Sequence, residues 1–501
     1  MRNDDPDAGT DGSTLEMDRR QLLKRVGVVG GVGALGYGVG QYATDSARSD
    51  DPSPGPAENV NGSPPSTEVP DDQDPQEGPA QQEVRHVDRH DNVVNAVEVG
   101  ADPSGTVPVN ELLEEYASGD TLLSFPPGTY RFEPMTVQDR DNFTIAAAST
   151  RRPTFVPEPG YCDQETYLTF QNVSNCLVDG INFDFSKPGA GGEIRFIADG
   201  DVTVQNVSIS GSCEPQIALF RVDVRDPEGV GLVKNLNIEH IGRNRLIGLY
   251  VGKKHAGEVT FENCRAAGFS DNGLYASAPG LPDAPNGTVH AVGGSYVNNN
   301  ISGVRLGTTG STARNVDVVV DTVPPGDDVN ARGIRLRNRR DILVEDCSVQ
   351  LGPHAGNSFG AVVFHGDNKG ATVRNTDLHV DTPETPAIFS FEPNADDNDP
   401  LVFENVTVTG NANGEWGANL IGRDGAMFEN CRFDQRGDDR GGIRLVDAED
   451  CVIKDCVIAA DQEPIIANRS SILVQNTTVH TPDGTRRIGS QILQDEVLNP
   501  R

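Results

Sequence analysis

Lysine is nearly missing. Of 41 basic residues in a chain of 501 only seven are Lys, and they face 75 Asp and Glu, giving a formal charge of −34 at neutral pH. So negative a chain does not bind nucleic acid nonspecifically, and most of its carboxylates serve to solvate the surface. No Cys-x-x-Cys pair and no His cluster with metal-ligand spacing occurs, which removes zinc-type sites. Membrane-length hydrophobic runs are lacking too: the apolar stretch Val26–Val39 is 14 residues, against the ~20 that a spanning helix needs. Long amphipathic periods are absent, because Gly and Asn interrupt the apolar residues every few positions, and that punctuation excludes helices of ordinary length.

What the sequence does have is a repeat. Short segments rich in Val, Ile and Phe alternate apolar and polar residues with period two, end at Asn, Asp or Gly, and start again. One position per repeat can be marked at Asn172, Asn206, Asn235, Asn263, Gly293, Asn315, Asp346, Asn375, Asn405, Asn430, Asp455 and Asn476. The mean interval is about 28 residues, within the range of solenoids, and it predicts an all-β parallel solenoid of about twelve coils. One long domain is expected, since each coil contacts only its neighbours. Eight Cys could frame disulfides. Four of them, Cys264, Cys347, Cys431 and Cys456, follow the marked Asn or Asp, which predicts small apolar residues stacked inside successive coils. A bridge among Cys162, Cys176, Cys213 and Cys451 stays open.

The chain divides where its composition changes. Residues 1–43 hold Arg19-Arg20, followed by Leu22, Leu23, Lys24 and the Gly-rich apolar run, a pattern that resembles a twin-arginine export signal. It implies a secreted or cell-surface protein, tied to a membrane only if that segment stays uncleaved. Residues 44–91 are Asp, Pro, Ser, Gly, Glu and Gln with hardly an aromatic, too polar to offset the entropy of ordering, and predict a disordered spacer. The folded domain is predicted over 92–485, with 486–501 as a C-terminal tail. Its opening contains Val99-Gly100-Ala101-Asp102, a helical Val109–Tyr116 with Leu112 and Leu113, and Phe125-Pro126-Pro127-Gly128-Thr129-Tyr130. From Val93 to Glu133 these residues resemble the first coil of the pectate-lyase-like superfamily of right-handed parallel β-helices. One departure is Val107-Pro108-Val109, where the superfamily usually has Asp-Asp-Thr. The resemblance implies a right-handed coil capped by a short N-terminal helix, in a carbohydrate-active protein. The acidic, Lys-poor composition resembles that of proteins from salt-loving archaea.

Candidate site residues come from aligning coils on Gly248, Gly273, Gly303 and Gly333. Leu249, Leu274, Val304 and Ile334 then face inward, and the next residues form an outward column, Tyr250, Tyr275, Arg305 and Arg335, stepped by about 4.8 Å. Arg332, Arg337, Lys253 and His365 lie within reach of that face. Tyr rings stack on sugars and guanidinium forks match carboxylates, so the expected partner is an acidic polysaccharide or glycan. Uronate lyases of the superfamily neutralise the substrate carboxylate with Arg or calcium and remove the adjacent proton with a base, which makes Arg305, Arg335 and Tyr275 the expected catalytic set. A glycoside hydrolase needs two carboxylates flanking the bond. Only Asp271 and, distantly, Asp367 offer themselves, without the paired-Asp and Gly-His-Gly motifs of polygalacturonases. Polysaccharide lyase therefore leads. The alternatives are a noncatalytic cell-surface or adhesion module and a glycoside hydrolase; in the plainest reading the Arg residues balance nearby carboxylates and Tyr covers a sheet. Asp396-Asp397-Asn398-Asp399 echoes a calcium loop without its spaced ligands or terminal Glu, so calcium is the one cofactor left open. Asn244, Asn272, Asn300, Asn330 and Asn357 are expected to adopt left-handed backbone or to bond neighbouring turns. Asn-x-Ser/Thr triplets at Asn172, Asn206, Asn405 and Asn476 coincide with the repeat position, which weakens glycosylation there.

Overall fold

The computed structural model describes residues 85–158, 166–211, 217–240, 246–322 and 329–498. The export-signal segment with Arg19 and Arg20, the spacer up to residue 84, and Cys162, Cys213 and Asn244 lie outside them. The described chain winds as a right-handed parallel β-helix with three strands per coil. Asn272–Ala276, Thr288–Val292 and Ser295–Val297 make up one such coil, and each pairs in parallel register with its equivalents before and after. These are members of the first, second and third sheets. Alternation decides the interior: in Thr288–Val292 only Val289 and Ala291 are buried.

From Asn206 to Asn476 the marked repeat position is the corner between the second and third sheets; Asn172 lies instead between the first and second, inside Leu168–Asp179, and Gly180 holds that coil's equivalent corner. All twelve residues from Asn172 to Asn476 have left-handed backbone, with φ between 45° and 62°. Asn, Asp and Gly are the residues that tolerate this conformation, which is why the repeat is spelled in them. Their side chains also bond along the stack, with Asn235 Nδ2 donating to Asn206 Oδ1 at 2.9 Å and Asn405 Nδ2 to Asn375 Oδ1 at 2.9 Å. The four triplet amides, at Asn172, Asn206, Asn405 and Asn476, all donate to a neighbouring corner. By contrast, Asn272, Asn300, Asn330 and Asn357 are not left-handed. Asn300 does bond neighbouring turns, giving Nδ2 to Ser270 O and accepting the Asn330 amide.

Cys264, Cys347, Cys431 and Cys456 stack inside as free, buried thiols, each donating to a carbonyl of the preceding coil, as in Cys264 Sγ to Val233 O at 3.3 Å. Cys176 and Cys451 are buried free thiols as well, so no bridge joins them. Columns of identical rings run through the core: Phe403 stacks on Phe428 at 4.6 Å and Phe170 on Phe196 at 4.7 Å. Each such buried ring contributes about 1.5–3 kcal/mol over its exposed state. At the first coil, the helix Asn110–Tyr116 lays Leu113 into the core and packs Leu112 and Tyr116 against it. At the last, Ser471–Thr481 turns back into Gly484–Gln494 as an antiparallel pair, and Val497–Leu498 pairs antiparallel with Ile465–Asn468. Among the described residues no helix is long and apolar enough to cross a membrane.

Candidate functional site

The first sheet carries the outward column. Its register runs Arg195, Arg221, Tyr250, Tyr275, Arg305, Arg335, then Val363, Phe389, Asn419 and Arg444. Glycine permits the close stacking of the strand openings. A Cβ on Gly248 would lie 2.7 Å from Gly273 O, and one on Gly273 would lie 2.7 Å from Gly303 O. The aligned residues Tyr250, Tyr275, Arg305 and Arg335 thus occupy one line. Two upstream guanidiniums, Arg195 and Arg221, belong to it and were missed, because their coils lack the glycine on which the alignment rests: Leu219 stands opposite Gly248.

Facing away from the coil interior does not make the column open. Tyr250, Arg305 and Arg335 are 4 %, 5 % and 2 % exposed, and Arg332 and Arg337 are buried as well. The cause is packing on the outside of the sheet. Tyr250 joins Ala218, Ile247 and Ala278 in an apolar cluster that Ile217 and Tyr275 border. Guanidiniums lie on rings: Arg221 Cζ is 5.1 Å from the Tyr250 centroid, Arg305 Cζ 4.0 Å from Tyr275, and Arg332 Cζ 4.7 Å from Phe359. Arg305 Nε also donates to Ser277 Oγ at 2.7 Å. Tyr275 is half-buried, and so is Lys253, which pairs with Asp283 at 2.7 Å.

One end of this line is charged and reaches solvent. Arg337 donates Nε and Nη2 to Asp367 Oδ2 at 3.0 and 2.5 Å, and the Asn338 amide donates to Asp367 Oδ1 at 3.1 Å. His365 Nδ1 stands 3.2 Å from Asp367 Oδ1, off the line of a well-formed hydrogen bond. Arg423 fixes the turn that carries both, donating Nη1 to Asn368 O at 2.8 Å and Nη2 to His365 O at 2.9 Å. Burial would raise the Asp367 carboxyl, but the His365 ring and the Arg337 guanidinium hold it well below the usual carboxylate range. Burial, with Arg337 and Arg335 nearby, pushes His365 down to about 4 against the pull of Asp367. The imidazole is therefore neutral at ordinary pH, its side chain is 24 % exposed, and the Phe391 ring lies 5.3 Å away. Such a group is unprotonated and available as a base, a weaker one than free imidazole.

The acidic turn Asp396–Asp399 does not form a cation cradle. Asp397 is taken by Arg340 at 2.7 Å and Lys369 at 3.1 Å, and Asp399 by Arg340 at 3.2 Å. Among the described residues no group of three or more His, Cys, Asp or Glu converges as metal ligands would.

No protein-family model and no curated protein sequence matches the chain. Among solved structures it is similar to the A-module of a mannuronan C-5 epimerase from Azotobacter vinelandii, with 18 % identity over 70 % of this chain and 97 % of that one, at a TM-score of 0.46. It is also similar to PfbA, a surface adhesin of Streptococcus pneumoniae, with 12 % identity over 80 % of this chain and 100 % of that one, at a TM-score of 0.47. A third likeness is to a hyperthermoactive exopolygalacturonase from Thermotoga maritima, with 12 % identity over 83 % and 97 % and a TM-score of 0.30. None of the three reaches a TM-score of 0.5, so the site is read from its own residues.

Proposed function

We propose that this is an exported β-helix protein of the pectate-lyase-like type that takes an acidic polysaccharide along the first-sheet face and cleaves it by uronate β-elimination. The observation that carries the reading is His365, a neutral, solvent-reaching imidazole beside the guanidiniums of Arg335 and Arg337 and the ring of Phe391. In this reading a uronate carboxylate pairs with Arg337, whose side chain is 10 % exposed, with the buried Arg335 behind it, which lowers the cost of removing the proton next to it. His365 Nε2 takes that proton, the electron pair forms the carbon–carbon double bond, and the glycosidic C–O bond at the β-carbon breaks, its oxygen leaving as a hydroxyl with a proton from solvent. Three coil steps, about 14 Å, separate Tyr275 from the His365 coil. Tyr275 and Arg305 accordingly hold neighbouring sugars of the same chain, with Tyr250 and Lys253 beyond them and Arg332 behind the line.

The burial of Arg335, and of Arg305 and Arg332 under their ring contacts, favours a second reading, a noncatalytic surface module that binds glycan without cutting it. One assay separates the two. The protein is incubated with polygalacturonate, alginate and hyaluronate in high salt, following ultraviolet absorbance of the unsaturated product and new reducing ends. Absorbance lost in His365→Ala is the expected result; reducing ends without unsaturation mean hydrolysis, and binding without either means the surface module. Export is assigned to the twin-arginine route from Arg19-Arg20, and unchanged secretion of a protein with both replaced by Lys refutes it.

A further inference from the structure

Two ion pairs of the same kind lie side by side at the upstream end of the column. In one, Asp223 uses both oxygens: Oδ2 accepts Arg221 Nε at 3.1 Å and Nη2 at 2.7 Å, and Oδ1 accepts the Gly252 amide at 2.6 Å. In the other, Arg195 gives Nε at 3.1 Å and Nη2 at 2.6 Å to a single oxygen, Glu193 Oε2. Glu193 Oε1 has no hydrogen-bond partner, although the side chain is only 1 % exposed. A buried polar atom left alone is an exception that calls for a cause. Packing supplies none, since the register places Glu193 level with Leu219 of the next coil and, through it, with Gly248. An apolar residue or none fills the same place downstream.

We propose that Glu193 is the floor of a further glycan subsite, where its unpartnered oxygen meets a sugar hydroxyl while Arg195, still holding the other oxygen through Nε and Nη2, offers its remaining N–H groups to the carboxylate of the same sugar. This deepens the reading of the first-sheet face as glycan-binding and rests on it. Arg195 is the guanidinium that solvent reaches, its side chain being 14 % exposed against 4 % for Arg221. The column continues upstream from Arg195 to the buried Thr169 and then to the exposed Thr136, so that end is polar and reaches solvent two coils up. The subsite works in one protonation state. With Oε2 accepting from Arg195, a proton on Oε1 is free to be donated to a hydroxyl; once that proton is lost, Oε1 repels a uronate. Burial, reinforced by Asp223 and opposed by Arg195 and Arg221, pushes the Glu193 carboxyl up to about 7. Tyr167 of the preceding coil packs its ring on Phe132 and Phe185 in the core, its hydroxyl donating to Phe132 O at 3.0 Å.

The test is calorimetric binding of oligosaccharides of polygalacturonate, alginate and hyaluronate by the full-length protein from pH 5.5 to 8.5, with Glu193→Gln and Glu193→Ala. A group titrating at about 7 gives the wild type a loss of roughly tenfold in affinity between pH 6 and pH 8. Glu193→Gln, whose amide still donates, holds the pH 6 affinity at every pH, and Glu193→Ala is weak throughout. The wild-type curve needs no variant, so the subsite is refuted by pH-independent wild-type binding even if a variant fails to fold. Parallel curves for wild type and Glu193→Gln refute it as well. Flat wild-type binding overturns the subsite alone, and no wild-type binding at any pH overturns it together with the glycan reading.

Discussion

The contact between Arg305 and Tyr275 offers a quantitative test of what holds the column together. The guanidinium carbon is 4.0 Å from the ring centroid, inside the ~6 Å over which a cation is drawn to a π face, and Arg305 is buried. Little water screens the pair, so the desolvated figure of about 2 kcal/mol applies and not the 0.5–1 kcal/mol of exposed pairs. A double-mutant cycle with Arg305→Met, Tyr275→Leu and the double variant isolates that term, because Met keeps much of the Arg stem and Leu keeps an apolar side chain. The hydrogen bond from Arg305 Nε to Ser277 is lost in both Arg305 variants and cancels. The assay is equilibrium unfolding in urea, read from proteins that share one m value. Arg221 and Tyr250, at 5.1 Å, should couple more weakly. Additivity within about 0.3 kcal/mol at Arg305 and Tyr275, or a larger coupling at Arg221 and Tyr250, refutes the stacking account.

Gly333→Ala should destabilise by about 1–3 kcal/mol, since its Cβ would run into Ala361 O and Val349, whereas Gly489→Ala meets nothing within 4 Å and should be neutral in the same unfolding assay. His365 makes the native state resist protonation: between pH 6.5 and about 4 the unfolded chain binds a proton that the folded chain refuses. Stability from this residue is therefore full above 6.5, falls as the pH drops, and levels off below 4, a loss of about 3 kcal/mol at most. The wild-type minus His365→Gln difference in urea midpoint should follow that curve, and a difference independent of pH refutes it.

The corners were legible because left-handed backbone admits few residue types, so twelve coils advertise themselves in Asn, Asp and Gly. The register of Tyr250, Tyr275, Arg305 and Arg335 was legible for a related reason, the glycines that let strand openings stack. Burial of that line was not. It depends on residues such as Ala278 and Phe359 lying over the outside of the sheet, and period-two alternation cannot distinguish an outward residue in water from one beneath a second layer. Arg195, Arg221 and Glu193 escaped because their coils carry no glycine at the aligned position. Asp367 was found as a lone carboxylate, and its partnership with Arg337 and His365 emerges only when consecutive coils are superposed.

The antiparallel turn at Gly484 has a consequence for growth. Every parallel coil ends in an edge that is a template for another like it, so an open stack of identical rungs could lengthen without limit by adding further chains. Reversing the chain direction breaks the template: Gly484–Gln494 offers an antiparallel edge that carries Arg486 and Arg487. A second molecule arriving with its own first coil finds no matching rung there. The hairpin thus closes this end of the stack, as the helix Asn110–Tyr116 covers the other.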